Sequence, residues 1–240
     1  MSARLAPVLL IARRDLALLV NALSTYVVAV IFLILTGWLF VSPLFSYGQS
    51  TLDTFLRPLP LIFTFLVPAL TMRSFAEEFR EGTIEYLGTL PIDDWQIVLG
   101  KFLASLGLIA GLIAFTLVYP ILLLIAGQPD IGQMVGGYCA ILGMTAFFSA
   151  VGLWASSLTR NQVVAFIIGF FICFIFYLFD RFAQVFPPTA AGAIAALGIE
   201  THFDSLARGV LDMRDLLYWA SGTAFFLIAC LTTVQSRRMR

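Results

Sequence analysis

Charge is scarce in this chain. Fourteen basic and fourteen acidic side chains make up 12% of its 240 residues, while 60% is hydrophobic. A soluble domain carries roughly a quarter charged residues and needs them to cover its core, so a water-soluble globule is excluded. Histidine is rarer still: His202 stands alone, with no histidine or cysteine at ligand spacing, and reads as an interfacial or packing residue rather than a zinc ligand. The three cysteines, Cys139, Cys173 and Cys230, sit in apolar runs without CxxC spacing and read as small buried hydrophobes. Neither HExxH nor GxSxG occurs, and the apolar runs hold almost no ionisable groups, which argues against an intramembrane protease site. Gly100-Lys101 is no phosphate loop: Trp95 stands where its first glycine belongs, and Phe102 where Ser or Thr is required. Formal net charge is zero, which removes the basic field that nucleic acid needs. No metal, cofactor or catalytic residue is expected on this chain.

What the chain has is long uncharged runs and a mean hydropathy of +0.97. Crossing hydrocarbon takes about 20 helical residues. One all-α membrane domain over 1–240 is expected, with spans near 26–46, 58–72, 102–129, 131–159, 161–179 and 216–236. The second is short and borrows 53–57, with Arg57 snorkelling. The opening Met-Ser-Ala-Arg-Leu-Ala shows no cleavage site, so no removable signal peptide is expected. Residues 1–22 form either an amphipathic interfacial helix or an extension of the first span, since Arg13, Arg14 and Asp15 interrupt apolar positions.

Lysine and arginine set the orientation. With both termini cytoplasmic, Arg4, Arg13, Arg14, Arg73, Arg80, Lys101, Arg160, Arg237, Arg238 and Arg240 lie inside. Only Arg57, Arg181, Arg208 and Arg214 lie outside. On this reading Lys101 is a positive-inside anchor, and the loop at 74–100 faces the cytoplasm.

That loop holds the densest charge: Glu77, Glu78, Glu81 and Glu85 surround Arg80. At i, i+1, i+4 and i+8 the four glutamates share one broad helical face, with Ile84 and Leu87 beside them and Pro91 as terminator. Like charges so placed repel by a few tenths of a kcal/mol per pair, a cost that a donor-rich partner surface would offset.

On the other side, 182–215 is too long for a simple turn. Residues 182–199 form an outer-face helix or a re-entrant pair. Farther on, Phe203, Leu206, Val210 and Leu217 make an apolar stripe, opposite Asp204, Arg208, Asp212 and Asp215. This segment either seals the outer end or gates the path and receives a partner, with Arg208 and Asp212 as hinge or contact. The pairs Gly107/Gly111 and Gly132/Gly136 allow close helix approach, within one chain or between subunits. The fifth span is dense in phenylalanine around its whole circumference, as suits a helix facing lipid or a second subunit.

Two stretches carry a family resemblance. Glu78-x-x-Glu81-Gly82-Thr83-Ile84-Glu85-x-Leu87-x-Thr89-x-Pro91, followed by Val98-Leu99-Gly100-Lys101, resembles the coupling segment of bacterial ABC type-two permeases. His202-Phe203-Asp204-Ser205-Leu206-Ala207-Arg208-Gly209-Val210-Leu211-Asp212, with Arg214-Asp215-Leu216-Leu217-Tyr218, resembles the outer segment of the gliding-motility-type subgroup, related to the nitrous-oxide-reductase maturation permease. Phe79-Arg80 departs from the family's frequent basic pair, and Asn21-Ala22-Leu23 from its usual Ser-Pro. The resemblance implies a non-catalytic permease of the bacterial inner membrane with an elbow helix and a coupling helix. It also implies a separate cytoplasmic ATPase dimer that binds the ATP and magnesium, a second permease copy or paralogue, and a membrane-anchored periplasmic subunit. The coupling interface would comprise Glu78, Glu81, Gly82, Thr83, Ile84, Glu85, Leu87 and Pro91; the outer segment His202, Phe203, Arg208, Gly209, Asp212 and Asp215. Export is the expected activity. A non-transporting scaffold or mechanical transmitter is the alternative class, and an intramembrane enzyme a weaker one. The uncharged spans favour a lipid-like cargo or mechanical coupling to an outer partner.

Overall fold

The computed structural model describes residues 2–47, 52–83, 92–126, 130–183, 185–187, 192, 194–210 and 212–238. Among them the regular structure is all helical: α1 (Ser2–Asn21), α2 (Leu23–Tyr47), α3 (Asp53–Leu56), α4 (Leu59–Thr71), α5 (Arg73–Glu81), α6 (Asp94–Thr116), α7 (Val118–Ala126), α8 (Ile131–Ser157), α9 (Gln162–Ala183), α10 (Ile199–Ala207) and α11 (Met213–Arg238). Six stretches are long and apolar enough to cross a membrane: α2, α3 to α5 together, α6 with α7, α8, α9 and α11. In lipid only a helix satisfies its own backbone polar groups, which is why long uncharged runs settle into this form.

The spans are not equivalent. In α8, 67% of the most apolar window is buried, against 22% in α2 and 17% in α9. α8 is therefore the central pillar, packed by α4, α9, α10 and α11. Its core-facing residues include Ala140, Met144, Phe147, Phe148 and Val151, all fully buried. On α9 the buried positions are Ala165, Gly169, Cys173, Asp180 and Ala183. Small residues thus meet the core and leave the phenylalanines on the flanks and outside.

Breaks within helices follow from proline. Pro120 cannot donate to the Thr116 carbonyl four residues back, and the helix is interrupted at Leu117 between α6 and α7. The freed Thr116 oxygen is taken by the Tyr138 hydroxyl of α8 at 2.8 Å, the repair that hydrocarbon demands of a broken helix.

Of the two readings of residues 1–22, the separate helix holds: α1 ends at Asn21, and α2 begins at Leu23. Two expectations change. The last span begins at Met213, earlier than expected, because α10 stops at Ala207 and Asp212 caps a new helix by accepting the Arg214 N–H at 2.9 Å. The acidic helix stops at Glu81, well before Pro91. Gly82 ends it in the left-handed region at φ 73°, a conformation that glycine adopts without steric cost.

Candidate functional site

α5 leaves α4 after one residue, Met72, and its first turn has backbone N–H groups that no preceding turn satisfies. Ser156 of α8 supplies the missing partner. Its hydroxyl oxygen accepts from the N–H of Phe75 and of Ala76, each at 3.0 Å, and donates to the Met72 carbonyl at 2.8 Å. Phe75 and Ala76 are fully buried.

Lys101, in the second turn of α6, reaches the same helix. Its Nζ lies 2.8 Å from Glu78 Oε1 of α5 and 2.8 Å from Asp15 Oδ2 of α1. The ammonium also lies 5.1 Å from the Phe75 ring centroid. The Lys101 side chain is 3% exposed, so it is a buried strut joining three helices rather than the headgroup-facing anchor expected. On the remaining side, Arg237 of α11 lies 4.8 Å over the Phe79 ring and donates to the Leu158 carbonyl. α5 is thus held by α1, α6, α8 and α11 at once.

Its other face is free of the bundle. Arg80 and Glu81 are exposed, and Arg80 lies 3.5 Å from Glu77 and 3.7 Å from Glu81. Of the expected coupling residues, Glu81, Gly82 and Thr83 lie at the C-terminal end of α5, whereas Glu78 is turned inward onto Lys101. α5 is capped at Gly82, and the expected helical face shared with Glu85 reaches beyond the described residues. Ile84, Glu85, Leu87 and Pro91 lie outside the described residues.

The other end of the bundle is closed by α10. Asp180, near the end of α9, caps it across twenty residues: Oδ2 accepts from the Glu200 N–H at 2.7 Å, and Oδ1 from the Thr201 N–H at 3.3 Å and its hydroxyl at 2.6 Å. A carboxylate there also meets the positive end of the helix dipole. Arg181 pairs with Glu200 at 2.9 Å. Burial raises the Glu200 carboxyl pKa above its ordinary value, with Arg181 opposing and Asp204 and Asp180 reinforcing. His202 sits between α10 and α11. Its Nδ1 is 2.6 Å from Asp215 Oδ1, and its Nε2 is 3.2 Å from the Ala196 carbonyl. Its ring stacks on Tyr218 at 4.0 Å, whose hydroxyl donates to the Leu197 carbonyl at 2.8 Å.

Phe203 and Leu206 are buried as expected, but Val210 and Leu217 are exposed. The stripe fails because Gly209, at φ 83°, breaks the helix between them. The same break separates Arg208 from Asp212, the expected hinge or contact pair, and the segment is tied down by the His202–Asp215 and Asp180–α10 links. Arg208 is exposed at the end of α10. Asp215 was among the expected outer-segment residues and Asp180 was legible only as a charge at a span end; the partners of both lie across turns that spacing does not predict.

No group of three or more His, Cys, Asp or Glu side chains that could hold a metal occurs among the described residues. A search of curated proteins returns no match to the chain. A family model described as ABC-2 family transporter protein matches residues 44–207, about two-thirds of the sequence, from the end of α2 through α10. With its six spans, this chain belongs to the ABC-2 transporter family, as a multi-pass membrane permease component of an ABC transporter.

Proposed function

We propose that this permease is driven by a separate ABC ATPase dimer docking on the exposed face of α5 and the loop that follows, and that it works as an exporter. The observation that carries the reading is the grip on α5. A helix with a polar, exposed outer face is fastened by Ser156, Lys101 and Arg237 to four other helices. Displacement of its outer face is thereby passed to α1, α6, α8 and α11 together. The permease would act with a second copy or a close paralogue, closed two-fold pairs being the commonest assembly. Both termini and α5 lie on the cytoplasmic side in this reading, because ten of the fourteen basic residues fall at that end. The gliding-motility-type subgroup, a bacterial inner-membrane location and a membrane-anchored outer partner against α10 complete the proposal.

The test is association. Replacing Glu81 and Glu85 by Lys reverses charge on the docking face while leaving the buried Glu78–Lys101 contact in place. Truncating one partner of a buried, hydrogen-bonded charge pair costs about 2–5 kcal/mol, so recovery of a nucleotide-binding subunit from native membranes should fall at least about tenfold. The protein should still insert in the membrane at normal abundance. Undiminished recovery of the ATPase would place coupling elsewhere.

A further inference from the structure

A cavity of about 450 Å³ opens where α1, α5 and α6 meet. Arg14 and Arg73 form its basic wall, Glu77, Glu78 and Glu81 its acidic wall, and Leu18, Leu19 and Ala104 an apolar side. Three buried polar atoms on these lining residues have no hydrogen-bond partner among the described residues: Arg73 Nε, Ser74 Oγ and Glu78 Oε2. Leaving such a group unsatisfied costs about 1–3 kcal/mol each. A guanidinium N–H can only donate and a carboxylate oxygen only accept, while a hydroxyl does either. A headgroup that carries an anionic acceptor and a cationic N–H donor a short distance apart satisfies all three, with charge-assisted bonds to Arg73 and Glu78.

We propose that this cavity binds the headgroup of an aminophospholipid from the adjoining leaflet, with phosphate on Arg73 and Ser74 and ammonium on Glu78 Oε2. Phosphoethanolamine has the required pair of groups. A choline headgroup has no N–H for Glu78. A purely anionic headgroup would bring more negative charge to a wall where Asp15, Glu77, Glu78 and Glu81 outnumber Arg14, Arg73 and Lys101. Ser74 and Arg73 lie in the first turn of α5, where the helix dipole also favours phosphate. The lipid source follows from position. The cavity lies at the first turns of a membrane span, and α1 beside it exposes Leu9, Leu10 and Leu18, an apolar surface on which acyl chains can lie. The lipid would sit against the Asp15–Lys101–Glu78 strut and occupy the gap between elbow and coupling helix. The inference does not rest on ATPase docking, because the site is built within this chain.

The experiment titrates the delipidated full-length permease, without nucleotide or ATPase, with lipids of identical acyl chains and reads occupancy by native mass spectrometry. Phosphatidylethanolamine should bind about tenfold more tightly than phosphatidylcholine, the difference expected for one hydrogen bond to a charged group, and more tightly than phosphatidylglycerol. Ser74→Ala and Arg73→Gln should each weaken phosphatidylethanolamine and phosphatidylcholine alike, since the phosphate is common to both, and leave their ranking in place. Equal binding of the ethanolamine and choline lipids overturns the ammonium assignment, and phosphatidylglycerol binding as well overturns the zwitterionic one. Full displacement by soluble glycerophosphoethanolamine would overturn the lipid source. Should either variant fail to fold, the ranking of lipids on the unaltered protein decides the matter alone.

Discussion

Lys101 bridges two carboxylates in a buried junction, with Asp15 and Glu78 both 2.8 Å from its nitrogen. Removing one member of such a cluster leaves uncompensated buried charge, at a cost of about 3–5 kcal/mol. Lys101→Met should therefore lower the melting temperature of the detergent-solubilised protein markedly. Adding Asp15→Asn and Glu78→Gln to the same chain should recover most of the loss, because neutral groups carry no comparable desolvation penalty. A single Lys101→Met variant that melts like the parent protein would show the cluster to be solvated. Ser156 carries a second residue-scale burden, since Ser156→Ala orphans two buried N–H groups and one carbonyl together. The sequence showed Lys101 as a lone cation at a span end, and its value as a strut was invisible there. Asp15 is 86 residues away, and nothing in local spacing brings α1 beside α6.

Among the elements, α10 depends most on contacts distant in sequence. Its first turn is capped from α9 by Asp180, and its last turn lies directly on the α8 backbone. A methyl on Gly136 would collide with the Leu206 carbonyl oxygen and press on Gly209. Asp180→Ala removes three hydrogen bonds to one carboxylate, each charge-assisted bond being worth about 1.5–3 kcal/mol. Limited proteolysis of the outer segment, 182–215, should then accelerate at least about tenfold, while helical content by circular dichroism stays nearly constant. Gly136→Ala should give the same phenotype by the steric route. If both variants resist protease like the parent, α10 is held by other contacts. Element existence was largely legible, because uncharged runs of some twenty residues admit one structure in lipid. Boundaries were less so. Gly82 and Gly209 each end a helix through a positive φ, and glycines of that kind look in sequence like the packing glycines within spans. Glu78 and Glu81 were legible as members of the densest acidic cluster, whereas the links Asp180–Thr201 and His202–Asp215 required the fold.

For the whole molecule, the least buried spans are α9, at 17%, and α2 and α11, at 22% each. Along α9 the inward stripe of Ala165, Gly169 and Cys173 contrasts with Ile167, Phe171 and Ile175, which are 44%, 55% and 49% exposed. On α2, Val27, Ile31, Ile34 and Trp38 are likewise exposed. Lipid can cover such faces, so exposure alone does not distinguish a subunit contact from the annulus. Phase along the helix does. If two copies meet through α9, single cysteines at Ile167, Phe171 and Ile175 should crosslink in native membranes with a period of three to four residues. Substitutions at Ala165 and Gly169, which face α4 and α8, should not. The background must be free of Cys139, the exposed native cysteine, whereas Cys173 and Cys230 are buried and can remain. The same scan over Val27, Ile31 and Ile34 tests α2 as the contact. Crosslinks on α9 alone would assign the pair to the phenylalanine-rich face, and crosslinks on α2 alone to the first span. Uniform absence on both would remove a dimer built on these helices and leave their apolar faces to lipid.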